Sequence, residues 1–239
     1  MKRNYSISVA MTTYNGEKYI KEQIDSIIKQ LYDFDELVIS DDGSQDRTLS
    51  IIKSYKDKRI KLLNGPKLGV KQNFANAIQN CKGKYIFLSD QDDIWMDEKI
   101  EQVLATFEKE KCMCVVHDCI VFDSKTNDII YNSFYKHRNS GNGILKNIWK
   151  NTYIGCCMAL DSKMKDFIIP IPNDIEMHDQ WIGILCEKKG KSVFIDSKLI
   201  RYRRHDKNES SMTHYPIFKM ISNRLKLILR LNNNKREQK

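Results

Sequence analysis

GKYIFLSDQDDIW, residues 83–95, is the stretch whose reading decides the fold class. Tyr85–Leu88 is a continuous apolar run, closed by Ser89 and followed at once by Asp90, Gln91, Asp92 and Asp93. A short apolar run of this kind suits a strand buried on both faces. Two similar runs precede it: Ile7–Met11, followed by TTYNG, and Glu36–Ser40, followed by DDGSQD. Ile60–Leu63 makes a fourth strand. Helical spacing fills the intervals at Tyr19–Gln30, Asp46–Tyr55, Val70–Cys81 and Ile100–Phe107. Strand and helix alternate throughout residues 1–110, which predicts an α/β fold with a mainly parallel sheet flanked by helices. Such sheets hold ligands at the C-terminal ends of their strands, where all three polar motifs fall.

Residues 111–215 are less regular. CMCVV, CIVFD, Gly155–Leu160, Ser192–Ile195 and Leu199–Tyr202 read as strands, and Asp179–Lys189 as a helix. Residues 216–239 form a basic amphipathic tail: Ile217, Ile221, Leu225 and Ile228 make one stripe, with Lys219, Arg224, Lys226 and Arg230 off it and Lys235 and Arg236 beyond. That pattern suits a helix lying in a membrane interface, and equally one docked on the core. One domain over 1–215 with this tail is the expected organisation.

The net charge of +9 favours anionic partners, but the lysines are scattered and no nucleic-acid motif appears. Most of the seven cysteines lie in apolar runs and no pair has zinc spacing, so they read as reduced, buried side chains in a cytoplasmic setting. The segment after the basic MKR is too short for a signal-peptide core, and no apolar run reaches transmembrane length.

Three carboxylates in the four residues Asp90–Asp93 repel one another unless a cation or donor groups compensate. A divalent ion shared with substrate phosphates would do so. An acidic turn with Asp93 or Asp97 capping the next helix is the competing account. In Asp41-Asp42-Gly43-Ser44-Gln45-Asp46, turn and cap chemistry explains Gly43, Ser44 and Asp46 but not two adjacent aspartates at a strand end. A carboxylate there can accept an N–H from a nucleobase. Two rival classes are excluded. A haloacid-dehalogenase phosphatase needs a nucleophilic Asp where Ser40 stands, and a dinucleotide fold needs a glycine-rich first loop where TTYNGEKY stands.

SVAMTTYNGEKYIKEQIDSI, ELVISDDGSQDRT and GKYIFLSDQDDIW together resemble the family 2 glycosyltransferases of the GT-A fold, over roughly residues 5–110. DQDDIW is similar to the rhamnosyltransferase-like branch, which builds bacterial surface polysaccharide. The later landmarks Gly155–Met158, His178–Trp181 and Tyr202–Asn208 also fit. The resemblance implies a nucleotide-sugar donor, with Thr12 and Tyr14 lining the nucleobase pocket. It implies that Asp42 accepts from the base, Asp90 contacts the ribose, Gln91 lies in the donor site and Trp95 closes the pocket floor. Asp92 would ligate Mn²⁺ or Mg²⁺, with His205 near the metal or the diphosphate. Asp179 would be the catalytic base. The acidic residue often found just before that base is His178 here, which could orient the acceptor.

The implied reaction is an inverting transfer from dTDP-rhamnose, a UDP-hexose or a UDP-N-acetylhexosamine to a glycan, lipid-linked or not, at the inner face of the membrane. A catalytically silent nucleotide-sugar-binding subunit is the alternative. A sugar nucleotidyltransferase would need a glycine-rich basic phosphate loop that TTYNGEKY does not supply.

Overall fold

The computed structural model describes residues 3–206, 208 and 216–234, with only the backbone of Ile217. Its centre is a nine-stranded sheet in which Ile60–Asn64 (β3), Glu36–Asp41 (β2), Ile7–Thr13 (β1), Tyr85–Ser89 (β4), Met158–Asp161 (β8), Cys114–Asp123 (β6), Ser192–Arg204 (β9) and Ile94–Trp95 (β5) lie side by side in that order, with Ile129–Tyr131 (β7) paired to β6. β1 (Ile7–Thr13), β2 (Glu36–Asp41) and β4 (Tyr85–Ser89) are buried along their whole length, as their apolar runs require. With β3 (Ile60–Asn64) they form a parallel array. The helices between them, α1 (Ile20–Ile28), α2 (Thr48–Ser54) and α3 (Val70–Asn80), cover the sheet with one apolar face each. Parallel connection of this kind brings the loops after β1, β2 and β4 to one edge.

The short β5 (Ile94–Trp95) and α4 (Lys99–Glu110) follow the DQDD loop. Neither Asp93 nor Asp97 caps α4. Its cap is Glu98, Asp97 pairs with Lys29 at the surface, and Asp93 is buried elsewhere.

CMCVV and CIVFD merge into one strand, β6 (Cys114–Asp123), and the two later segments into another, β9 (Ser192–Arg204). The two pair in parallel with register shifts between His117 and Ile120. The Asp118 carboxylate holds that kink by accepting from the Cys119 and Tyr135 N–H groups and the Ser133 hydroxyl. Gly155–Cys157 is a helical turn that leads into β8 (Met158–Asp161), antiparallel to both β4 and β6. β8 therefore joins the first and second halves into one sheet. β7 (Ile129–Tyr131), α5 (Phe134–Arg138), α6 (Ile144–Trp149) and α7 (Lys165–Ile168) have no clear sequence period, being short. All seven cysteines are free and buried.

α8 (His178–Lys189) is buried on nearly every side. α9 (Ile217–Asn233) is docked: Leu227 and Leu231 enter the core. Lys188 Nζ donates to the Leu231 carbonyl at 2.8 Å, and Arg230 pairs with Asp174. Those anchors lie outside the apolar stripe expected from the sequence. Of that stripe, Ile221, Leu225 and Ile228 stay exposed. The Ile217 side chain, Lys235 and Arg236 fall outside the described residues.

Candidate active site

At the end of β1, the Thr13 hydroxyl donates to the Asp41 carboxylate at 2.8 Å. Asp41 is buried and also accepts from Gly43 N–H, Ser44 N–H and the Ser44 hydroxyl. The first aspartate of the pair is thus consumed by the turn. The second, Asp42, faces a cavity, and its two oxygens accept from the backbone N–H groups of Lys67 (2.7 Å) and Gly69 (2.8 Å). Gly69 has φ 84°, a conformation that glycine adopts without strain.

Tyr14 is exposed, but its backbone is held. Its N–H donates to Gln91 Oε1 at 2.9 Å, and its carbonyl accepts from Gln91 Nε2 at 3.0 Å. The Gln91 amide therefore clamps the first loop to the DQDD loop and fills the space beside Gly16, where a Cβ would strike it.

In the DQDD loop, Asp92 Oδ2 lies 2.7 Å from His205 Nε2. The His205 ring stacks on Tyr19 at 5.0 Å, and its backbone N–H donates to Asn208 Oδ1. Arg203, buried at the end of β9, fixes the loop from behind. Its N–H donates to Asp93 Oδ1 (2.9 Å), its Nε to the Asp92 carbonyl (2.7 Å), and its guanidinium reaches Glu22. Asp93 is fully buried against Cys156, and burial with the nearby Asp92 and Asp90 charges pushes its carboxyl well up. Burial, then Asp92 and Asp179, push Asp90 up to about 7. Beneath them Lys99, fully buried, donates to the Cys156 carbonyl at 2.7 Å and lies 3.9 Å from the Trp95 ring centre. Desolvation brings its ammonium down to about 8. Trp95 is buried under this layer.

Asp90, Asp93 and Cys156 bring donor atoms within 4.8 Å of one another. A buried thiol whose pKa is pushed up suits a hard ion poorly. The Asp92 carboxylate and the His205 imidazole, 2.7 Å apart, are donor types suited to Mn²⁺ or Mg²⁺.

Asp179 lies in the first turn of α8, near the positive end of the helix dipole. Its Oδ1 accepts from Asn151 Nδ2 (3.0 Å) and from Gln180 N–H (2.6 Å). Burial pushes the carboxyl up to about 6. Neighbouring His178 is buried and stacked on Phe74 at 4.1 Å, and desolvation brings it down to about 3, so it is a neutral imidazole. A Cβ on Gly155 would come within 2.8 Å of its Nε2.

One cavity of about 1720 Å³ is lined by Thr12, Tyr14, Asp42, Asp90, Gln91, Asp92, Asp179 and His205 together. Sequence reading assigned no part to Arg203, Lys99, Asn151 or the Lys67–Gly69 loop. Arg203 stood inside the quoted Tyr202–Asn208 landmark. Asn151 lies in an irregular stretch that carries no periodic signal.

The family model described as glycosyl transferase family 2 matches residues 8–167. The dTDP-rhamnosyl transferase RfbG of Shigella flexneri is 30% identical over 220 residues, covering 83% of this chain and 73% of its own. The Escherichia coli protein WfgD is a UDP-Glc:alpha-D-GlcNAc-diphosphoundecaprenol beta-1,3-glucosyltransferase. It is 28% identical over 211 residues, covering 87% of this chain and 81% of its own. S. aureus TarS 1–349 in complex with UDP-GlcNAc superposes with a TM-score of 0.72 at 19% identity, over 94% of this chain and 66% of that one. The mannosyltransferase PcManGT from Pyrobaculum calidifontis, in complex with GDP-Man and Mn²⁺, gives 0.67 at 17% identity, over 86% and 59%. The chain thus spans less than two thirds of either solved structure. Their likeness bears on the fold, which is GT-A, while the sequence matches decide the family: the chain belongs to glycosyl transferase family 2.

Proposed function

We propose that the chain is a metal-dependent, inverting glycosyltransferase that moves a sugar from a nucleotide-sugar donor to a glycan in surface-polysaccharide synthesis. The carrying observation is that Asp179 shares one cavity with Asp90, Asp92 and His205, close enough for its charge to raise Asp90. Thr12, Tyr14 and Asp42 receive the nucleobase. The Asp42 oxygens, set by two backbone amides, keep lone pairs for a base N–H. Asp90 takes the ribose, and Gln91 supports the site by holding the Tyr14 loop.

The acceptor hydroxyl gives its proton to Asp179 while its oxygen bonds to the anomeric carbon. The bond from that carbon to the diphosphate oxygen breaks with inversion, and the electron pair leaves on the diphosphate. A divalent ion held by Asp92 and His205 would stabilise that developing charge as a Lewis acid. Arg203 keeps the loop in place through the Asp92 carbonyl, and Lys99 holds the Gly155–Cys157 turn beside it through the Cys156 carbonyl.

RfbG supports dTDP-rhamnose first and WfgD a UDP-hexose second as donor, with a UDP-N-acetylhexosamine the remaining candidate. WfgD's name, with its diphosphoundecaprenol acceptor, supports a lipid-linked glycan and work at the inner face of the membrane. The test is release of nucleoside diphosphate across a panel of dTDP- and UDP-sugars, with Mn²⁺, Mg²⁺ or chelator. Activity on no donor sinks the transferase reading. Equal affinity of Asp92→Ala and wild type for UDP or dTDP in calorimetry sinks the metal role.

A further inference from the structure

α6 and α9 pack together beside the cavity. Arg224 joins them: its Nε donates to the Trp149 carbonyl at 2.9 Å, and its guanidinium lies 4.5 Å from the Trp149 ring centre. Leu227 and Leu231 hold α9 to the core. The opposite side of α9 carries Phe218, Ile221, Leu225 and Leu229, one helical stripe, all exposed. α6 adds Leu145 and Trp149 to the exposed apolar surface. Phe218 is 88% exposed, Leu145 83% and Trp149 70%. Six large apolar side chains on two packed helices exceed the scattered exposure normal for a monomer surface. Among the described residues no helix is long and apolar enough to cross a membrane.

The surroundings are basic. Lys146 and Lys150 are exposed on and just after α6, and Lys219 and Lys226 stand on the flank of the α9 stripe. Such a border suits an interfacial helix pair, because apolar side chains enter the acyl boundary while cations meet anionic headgroups. The surface also runs to the cavity: Trp149, Lys150, Met220, Asn223 and Arg224 line its wall.

We propose that α6 and α9 together form a docking surface for an anionic lipid bilayer, placed so that the cavity mouth opens at the headgroup level. This rests on the lipid-linked acceptor named above and deepens it. The acceptor's lipid stays in the membrane while its glycan end reaches Asp179 along the wall formed by Trp149 and Arg224.

The test is flotation of the full chain with phosphatidylglycerol/phosphatidylcholine vesicles and with pure phosphatidylcholine vesicles, at low and high salt. Two variants accompany it: Leu145→Glu/Phe218→Glu/Leu225→Glu and Lys146→Glu/Lys150→Glu. These residues are exposed and none of the apolar three lines the cavity, so the fold persists, which thermal melting checks. Removing α9 would instead strip Leu227 and Leu231 from the core. Wild type should float with the anionic vesicles and detach in salt, and each variant should lose roughly tenfold or more in binding. Several outcomes overturn the proposal: no flotation of wild type, equal flotation with both vesicles, a triple variant that floats like wild type, or a dimer by light scattering that the triple variant dissolves. Donor hydrolysis, measured without vesicles, is read separately. Its absence with intact flotation overturns the transferase reading and not the docking surface.

Discussion

Asp179 is only 6% exposed, and that burial sets its chemistry. A carboxyl pushed up to about 6 is mostly ionised at neutral pH yet basic enough to take a hydroxyl proton. With Asp179 as the proposed base, transfer would need the deprotonated form, so kcat should rise as pH climbs through about 6 and level off above it. Asp179→Asn keeps the shape and the Asn151 contact but removes the proton acceptor. It should lower kcat by about 10²–10⁴-fold, abolish the acid limb and leave nucleotide affinity nearly unchanged in calorimetry. A variant with near-normal turnover would move the base elsewhere, with Glu176 and Asp174 next in line. Glu176 lines the cavity, whereas Asp174 lies outside its lining and pairs with Arg230, which makes Glu176 the better of the two.

Two elements carry the site, and each can be tested by a substitution whose sign the packing decides. Gly183 lies in the middle of α8, where alanine ordinarily gains about 1 kcal/mol of helix propensity. Here a Cβ would sit well inside contact distance of the Tyr153 ring, which is fixed by its hydroxyl bond to Glu187. Overpacking of a rigid contact costs about 1–3 kcal/mol, so Gly183→Ala should destabilise in urea titration and not stabilise. At the end of β9, Arg203→Met keeps the stem and loses the bond to the Asp92 carbonyl. A buried bond from a charged donor contributes about 1.5–3 kcal/mol, while the pair with half-exposed Glu22 adds little. Stability should fall by about 2 kcal/mol, and metal-dependent nucleotide binding should weaken with it, because the Asp92 loop loses its anchor. Unchanged binding would show that the loop is held without Arg203.

At the scale of the molecule, β8 ties the two halves into a single sheet, so ligand binding at the cavity should stabilise the whole chain. Mn²⁺ together with UDP or dTDP at about a hundred times its Kd should add about 2.7 kcal/mol. The rise in melting temperature should need both components. A nucleotide that stabilises equally in chelator would remove Asp92 and His205 from any metal role.

The sequence determined those features that short-range chemistry dictates. Apolar runs at Ile7–Met11, Glu36–Ser40 and Tyr85–Ser89 specify buried strands because a strand covered on both faces needs apolar side chains on both. Helical spacing between them specifies the covering layers, and motif order specifies which loops share an edge. Cys112–Asp123 was legible as strand but not as one strand, since the kink at Asp118 depends on Ser133 and Tyr135 from a later segment.

Tertiary structure alone decided what depends on distant residues meeting. Asp92 reaches His205 across 113 positions, and Arg203 reaches the loop from the end of β9. The resemblance already pointed to Asp42 as the ligand-facing aspartate, but the amides of Lys67 and Gly69 that set its oxygens come from a distant loop. In α9 the helical period gave an apolar stripe, but a stripe does not say whether core or solvent meets it. Leu227 and Leu231 took the core, and that left Phe218, Leu225 and Leu229 facing outward beside Trp149. Periodicity encodes which residues share a face of one element, whereas the partner of that face is a long-range contact that no local pattern contains.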